Sequence, residues 1–137
     1  MVFDTMVLVY ALLGIEGFAE DAGRSLMAAR HVWAPDSVRA ELANAVWQWI
    51  RVRRVNLGEG LAVLRDADLL FTEVCPAPLL WERALELSVA CDQPPYDTLF
   101  VALAERKGCQ VITYDRGLLA RFPKQTVTPR RFLGAGR

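Results

Sequence analysis

Histidine is almost missing from this 137-residue chain, with His31 the single example. Cysteine is scarce and odd in number, at Cys75, Cys91 and Cys109. No CxxC pair and no zinc-ligand spacing occurs, so neither a structural zinc site nor a disulfide framework is indicated. A reducing cytoplasm is the expected setting. Excess charge is missing too, because 16 Lys plus Arg balance 16 Asp plus Glu. Overall charge therefore does not make a polyanion binder, and any nucleic-acid surface must come from local placement. Lysine occurs only at Lys107 and Lys124. The remaining basic residues are arginines, which suit bidentate contacts to phosphate or carboxylate and ordinary surface ion pairs alike. The apolar stretch from Met6 to Ile15 is too short to cross a membrane. No basic segment precedes a long apolar run at the N-terminus, so no signal peptide is expected. Repeats, low-complexity segments and linkers are also lacking.

What is present is a core. The hydrophobic fraction is 53% and the charged fraction 23%, which excludes a disordered chain. The length predicts one domain over residues 1–137, burying roughly two-thirds of its unfolded surface.

Short apolar runs alternate with longer amphipathic ones. Val2-Phe3 reads as a strand ending at Asp4, followed by a helix from Met6 to Leu13 closed by Gly14. A second helix fits Gly17 to Ala29, and Val32-Trp33-Ala34 is a strand stopped by Pro35. Asp36 or Ser37 caps a helix running to about Arg54, with Val38, Leu42, Val46 and Trp49 at helical spacing. Further helices fit Gly58–Leu70, Glu82–Cys91 and Tyr96–Lys107. Leu70 to Val74 is either a strand or the end of the preceding helix. Val111 to Tyr114 is a buried strand ending at Asp115, and Val127 with Phe132-Leu133 suggests a short edge strand. Strands separated by helices predict an α/β fold with a small, mostly parallel central sheet flanked by helices. Ligands bind such sheets outside the carboxyl ends of the strands.

Carboxylates occupy the positions that this rule singles out. Asp4 and Asp115 each follow a strand directly. Asp97 lies in the first turn of a helix, behind Pro94-Pro95-Tyr96. Glu41 lies one turn into the helix starting at 36, with Asn44 three residues later on roughly the same side. Four carboxylates in one cleft repel one another and raise some pKa values. The arrangement makes chemical sense around a divalent cation, since Mg²⁺ and Mn²⁺ prefer oxygen ligands. On spacing alone, each of these residues also has an ordinary structural reading as a loop, capping or helix-surface residue.

Taken in order, these segments resemble the PIN-domain family, and within it the VapC-type toxins of prokaryotic toxin–antitoxin pairs. Val2-Phe3-Asp4-Thr5 is similar to the family's first strand and aspartate, and Pro35-Asp36 through Glu41-Leu42-Ala43-Asn44-Ala45 to its second acidic motif. Tyr96-Asp97 through Ala104-Glu105 is similar to the third motif. Val111-Ile112-Thr113-Tyr114-Asp115, followed by Leu118-Leu119, is similar to the fourth. The matches run from residue 2 to about 133. The resemblance implies a three-layer fold and a Mg²⁺- or Mn²⁺-dependent endoribonuclease hydrolysing single-stranded or loop RNA. It further implies that Asp4, Glu41, Asp97 and Asp115 hold the metal and carry catalysis, supported by Thr5, Asn44 and Thr113. A cognate antitoxin and a homodimer are the partners it implies, with no membrane. Two alternatives stand beside this reading: a PIN nuclease of RNA processing without an antitoxin, and a catalytically weak RNA- or protein-binding domain. The sequence departs from the family at Met6, where a serine or another small polar residue is common. A thioether replaces a hydroxyl poorly as a hydrogen-bonding group. With the four acids intact, activity is expected, weakened or retuned by that exchange.

Several residues outside the acids invite a role. Arg51, Arg53, Arg54 and Arg116 are candidate RNA contacts, and Arg130, Arg131 and Arg137 make the carboxyl end basic. The first three also suit the negative end of a helix dipole. Trp47 and Trp49 are two apart, so one is expected in the core and the other on a partner surface. Trp33 and Trp81 are expected to be core or partly exposed hydrophobes. Leu8, Leu12, Leu13, Ile15 and Phe18 are expected to be mostly core, with a share in a partner groove. Cys75 and Cys91 read as buried filler, and His31 as structural.

Overall fold

The computed structural model describes residues 1–136, so Arg137 lies outside the described residues. Five short strands form one parallel sheet in the order β3-β2-β1-β4-β5. They are β1 (Val2–Phe3), β2 (Trp33–Pro35), β3 (Glu73–Cys75), β4 (Val111–Ile112) and β5 (Thr126–Val127). The central pair is wholly apolar, and Val2, Phe3, Val111 and Ile112 are fully buried. Burial on both faces is what a parallel sheet covered by helices requires.

Helices flank the sheet as expected, giving the three-layer α/β architecture. They are α1 (Thr5–Leu13), α2 (Ala19–Ala28), α3 (Ser37–Arg51), α4 (Leu57–Leu70), α5 (Trp81–Cys91), α6 (Pro95–Lys107), α7 (Arg116–Arg121) and α8 (Pro129–Ala135). Helix α6 packs across β1, β2 and β4 and carries α5 alongside. Its Phe100-Val101-Ala102-Leu103-Ala104 run is buried throughout, as expected of a helix apolar on nearly every face. Helix α1 packs with α2, α3 and α4, and α8 closes over α2. Gly14 and Gly108 end α1 and α6 in the left-handed conformation, which glycine adopts without Cβ strain.

Four local expectations are corrected. Pro35 does not stop β2; it belongs to the strand and lies opposite Cys75. Helix α3 ends at Arg51 and not near Arg54, because the chain turns there with Arg53 in the left-handed region (φ 57°). Asp36 sits at the α3 N-cap position without a side-chain capping bond. Phe132 and Leu133 form no edge strand; they lie in α8, which Thr128 caps and Pro129 opens. The ambiguous segment 70–74 resolves as the end of α4 followed by β3.

Candidate active site

The strand order reverses beside β1. From it the chain builds β2 and β3 on one side, and β4 and β5 on the other. The crevice at such a switch point, outside the carboxyl ends of the strands, is where open α/β sheets bind ligands. Asp4 follows β1 and Asp115 follows β4 closely, so both lie at this edge. Each also caps the helix that comes next. Asp4 Oδ1 accepts from the Thr5 N–H at 2.8 Å, and Asp115 Oδ1 accepts from the Leu118 N–H at 2.7 Å. Capping fixes the two carboxylates against the backbone and uses one oxygen of each.

The remaining Asp4 oxygen, Oδ2, accepts from the Thr113 hydroxyl at 2.6 Å. The same hydroxyl accepts from the Asp115 N–H at 2.9 Å. Glu41 comes in from α3, where its Oε2 accepts from the Thr5 hydroxyl at 3.0 Å. Asp97 stands in the first turn of α6, and its Oδ2 accepts from the Gln93 side-chain amide at 2.7 Å.

These groups feel one another's charge. Burial raises the Asp4 pKa to about 6, Thr113 and Thr5 pull it down, and the charges of Asp97 and Asp115 push it up. Burial likewise raises Glu41 to about 7, with Thr5 opposing and the charges of Asp4 and Asp97 adding. Asp97 is raised by burial and by Asp115, against the Gln93 hydrogen bond. Among the described residues, none of the ion pairs engages any of the four acids. The protein thus gathers acids at one edge without pairing any of them to a basic side chain among the described residues.

The donor set fits a hard divalent cation, since it consists of carboxylate and hydroxyl oxygens without sulfur or imidazole. One turn before Glu41 on α3, the buried Ser37 hydroxyl lacks a hydrogen-bond partner. The fit is one of charge and donor chemistry. Among the described residues, no group of three His, Cys, Asp or Glu side chains is arranged to hold a metal ion by itself. An open site of this kind suits Mg²⁺, which keeps several waters and takes only one or two carboxylates.

Comparison with known proteins decides the lineage. The PIN domain family model matches residues 1–125. The chain belongs to the PIN-domain family. Curated relatives at 29% identity include VapC ribonuclease Mb0985 of Mycobacterium bovis and Ribonuclease VapC9 of Mycobacterium tuberculosis. Each aligns over 129 residues, 91% of this chain and all of the relative. Ribonuclease VapC3 of Pyrobaculum aerophilum is also 29% identical, over 88% of this chain and 93% of its own length. The crystal structure of PAE2754 from Pyrobaculum aerophilum superposes with a TM-score of 0.77 at 22% identity, covering 99% of this chain and 89% of that one. That likeness shows the shared fold.

In this PIN domain the candidate arginines form no ion pair with the four acids among the described residues. Asn44 is exposed, and no hydrogen bond ties it to Glu41 among the described residues. Arg116 is exposed beside Asp115 at the start of α7. Arg51, Arg53 and Arg54 are exposed at the far end of α3, about 15 Å along the helix from Glu41. Arg51 lies over Trp47 at 4.8 Å and Arg54 near Trp49 at 6.0 Å. Trp49 packs on the core and Trp47 is exposed, the division that their spacing implied. Arg130 pairs with Asp21 at 3.4 Å. Met6 packs against the core cluster, and nothing in the structure explains what it gains over a hydroxyl. Cys75 is buried and Cys91 half-buried, while His31 stacks on Trp33.

Sequence reasoning missed Gln93 and Gly117. Gln93 carries no motif, and only its place four residues before Asp97 hints at a pairing. A Cβ on Gly117 would stand 3.1 Å from Asp115 Oδ1, 3.2 Å from an Arg121 guanidinium nitrogen and 3.3 Å from Gln93 Oε1.

Proposed function

We propose that this PIN domain is a metal-dependent endoribonuclease that hydrolyses phosphodiester bonds in single-stranded or loop RNA, and that it is the toxin of a toxin–antitoxin pair. The observation that carries the reading is the meeting of Asp4, Glu41, Asp97 and Asp115 at the sheet's switch point, with the first and last joined through Thr113. The curated relatives, all called VapC ribonucleases, support the choice of RNA.

When bound, Mg²⁺ or Mn²⁺ supplies Lewis-acid polarisation of the phosphate and activation of water. Asp4, Glu41, Asp97 and Asp115 are its candidate ligands, one or two of which would bind it directly. Thr113 and Thr5 orient Asp4 and Glu41 by hydrogen bonds, the usual task of groups just behind ligands. Glu41 Oε2 is engaged by Thr5, which leaves Oε1 as the oxygen available to the cation. Arg116 and the arginines at 51, 53 and 54 are exposed cations available to the RNA backbone.

The antitoxin would bring an apolar segment. A groove of about 620 Å³ between α3 and α4 is lined by Leu42, Leu64, Leu69 and Phe71, with Arg39 and Arg65 at its rim. A second copy fits α5. There Trp81, Leu85 and Val89 recur every four residues along one exposed stripe. Among the described residues no helix is long and apolar enough to cross a membrane.

The test is cleavage of a panel of structured cellular RNAs by antitoxin-free protein with Mg²⁺, with Mn²⁺ and with EDTA, beside Asp4→Asn. Cleavage that needs metal and vanishes in the variant is expected. Cleavage in EDTA, or by folded Asp4→Asn at the parental rate, overturns the reading.

A further inference from the structure

The connection between α5 and α6 is short and stiff. Asp92 ends α5 in the left-handed region, and Pro94 and Pro95 fix the backbone into α6. Gln93 lies between them and is only 8% exposed. Burying a long, flexible amide costs side-chain entropy and desolvates polar atoms that then need partners. The amide nitrogen meets Asp97 Oδ2 at 2.7 Å. The amide oxygen faces the first turn of α7, 3.3 Å from where a Cβ of residue 117 would stand. Asp115 Oδ1 lies 3.1 Å from that same point. Gly117 therefore leaves room for the Gln93 side chain to sit between the elements that bear Asp97 and Asp115.

We infer that Gln93 is a positioning residue of the acid site: its buried amide holds one oxygen of Asp97 and presents the other, Oδ1, to a divalent cation. The inference rests on the reading of Asp97 as a metal ligand. The chemistry favours an amide for this task. A lysine or arginine at the same place would neutralise Asp97 and compete with the cation. An apolar residue would leave the carboxylate free to rotate. A neutral donor fixes the rotamer and leaves the negative charge in place.

The test uses Gln93→Met, which keeps the side chain's length and removes the donor. Mn²⁺ affinity of the full chain is read from the electron paramagnetic resonance signal of free Mn²⁺, with RNA cleavage measured in parallel. A tenfold or greater loss of Mn²⁺ affinity is expected, in the range for groups behind metal ligands. The cleavage turnover should fall while KM for RNA holds. Asp97→Asn and the double variant complete a cycle. If Gln93 acts through Asp97, adding Gln93→Met to Asp97→Asn changes Mn²⁺ affinity no further, whereas a general loosening of the fold would add. Parental Mn²⁺ affinity in Gln93→Met, with affinity lost in Asp97→Asn, overturns the role of Gln93 and leaves the site reading standing. Parental affinity in Asp97→Asn overturns the site reading itself. Should Gln93→Met not fold, Gln93→Asn is decided by the same measurements, its shorter amide being unable to span the gap to Asp97.

Discussion

Thr113 donates a 2.6 Å hydrogen bond to Oδ2 of Asp4 across 109 positions of sequence. It accepts one of 2.9 Å from the N–H of Asp115. One fully buried hydroxyl therefore ties the end of β1 to the end of β4 and sets the spacing of two acids. Threonine suits the position, because its β-branch restricts χ1 and packs in extended backbone.

Thr113→Val should keep the shape and delete the donor. The hydrogen bond favours the charged form of Asp4, so its pKa should climb above about 6. Cleavage should fall by roughly 10- to 100-fold, the usual cost of losing a group that orients a metal ligand. Single-turnover cleavage and an NMR titration of the Asp4 carboxyl measure the two effects. Parental values in both would remove Thr113 from the site.

The metal-free protein should lose stability as pH rises. Asp4 titrates at about 6 in the fold against 3.8 for the free group, and Glu41 at about 7 against 4.5. Between those limits the folded state holds protons that the unfolded state has released, so stability declines with increasing pH and levels off above the folded values. Asp4 alone accounts for at most about 3 kcal/mol. Urea melts in EDTA from about pH 4 to about pH 8 should show the decline, and Asp4→Asn should flatten part of it. Stability that rises over this window would contradict the burial of these carboxylates.

Arg51→Ala should weaken RNA binding and flatten its salt dependence. Each phosphate contact on a single strand contributes about 0.7 to the slope of log affinity against log salt. Binding titrations at several salt concentrations, with catalytically disabled Asp4→Asn as the background, give the slope. An unchanged slope would leave Arg51 as a cover for Trp47 and nothing more.

Trp81→Glu should leave the chain folded and monomeric. Trp81 is 58% exposed, so a charge there costs the isolated domain little, yet it would lie buried if two α5 stripes met. Light scattering should give twice the 15.3 kDa chain mass for the parent and the single mass for the variant. Equal masses would move any dimer contact elsewhere.

Much of the fold was legible because its signals are local. Val2-Phe3-Asp4 and Val111 through Asp115 announce strands that end in acids, and Gly14 and Gly108 mark helix ends. The four acids were legible through their places at strand ends and helix starts. Three features were not. Phe132-Leu133 reads as a strand pair because a short apolar dipeptide has no period, although Thr128 and Pro129 carried the helix-start signal. The end of α3 depends on a left-handed Arg53, a conformation that arginine does not advertise. Gln93 acquires its meaning only when the α5–α6 connection is brought against α7, a long-range packing event with no local trace.

The strand order has a consequence for the life of the chain. Parallel pairing puts β4 next to β1, yet residue 111 is made long after residue 3. Until residues 113 to 115 exist, Asp4 has no Thr113 and no Asp115 to stand with. A nascent or prematurely ended chain therefore carries scattered acids and no assembled cleft. Non-local pairings of this kind also form late, after slow loop closure. On the reading proposed above, a chain that stops short of Asp115 has no assembled site with which to cut.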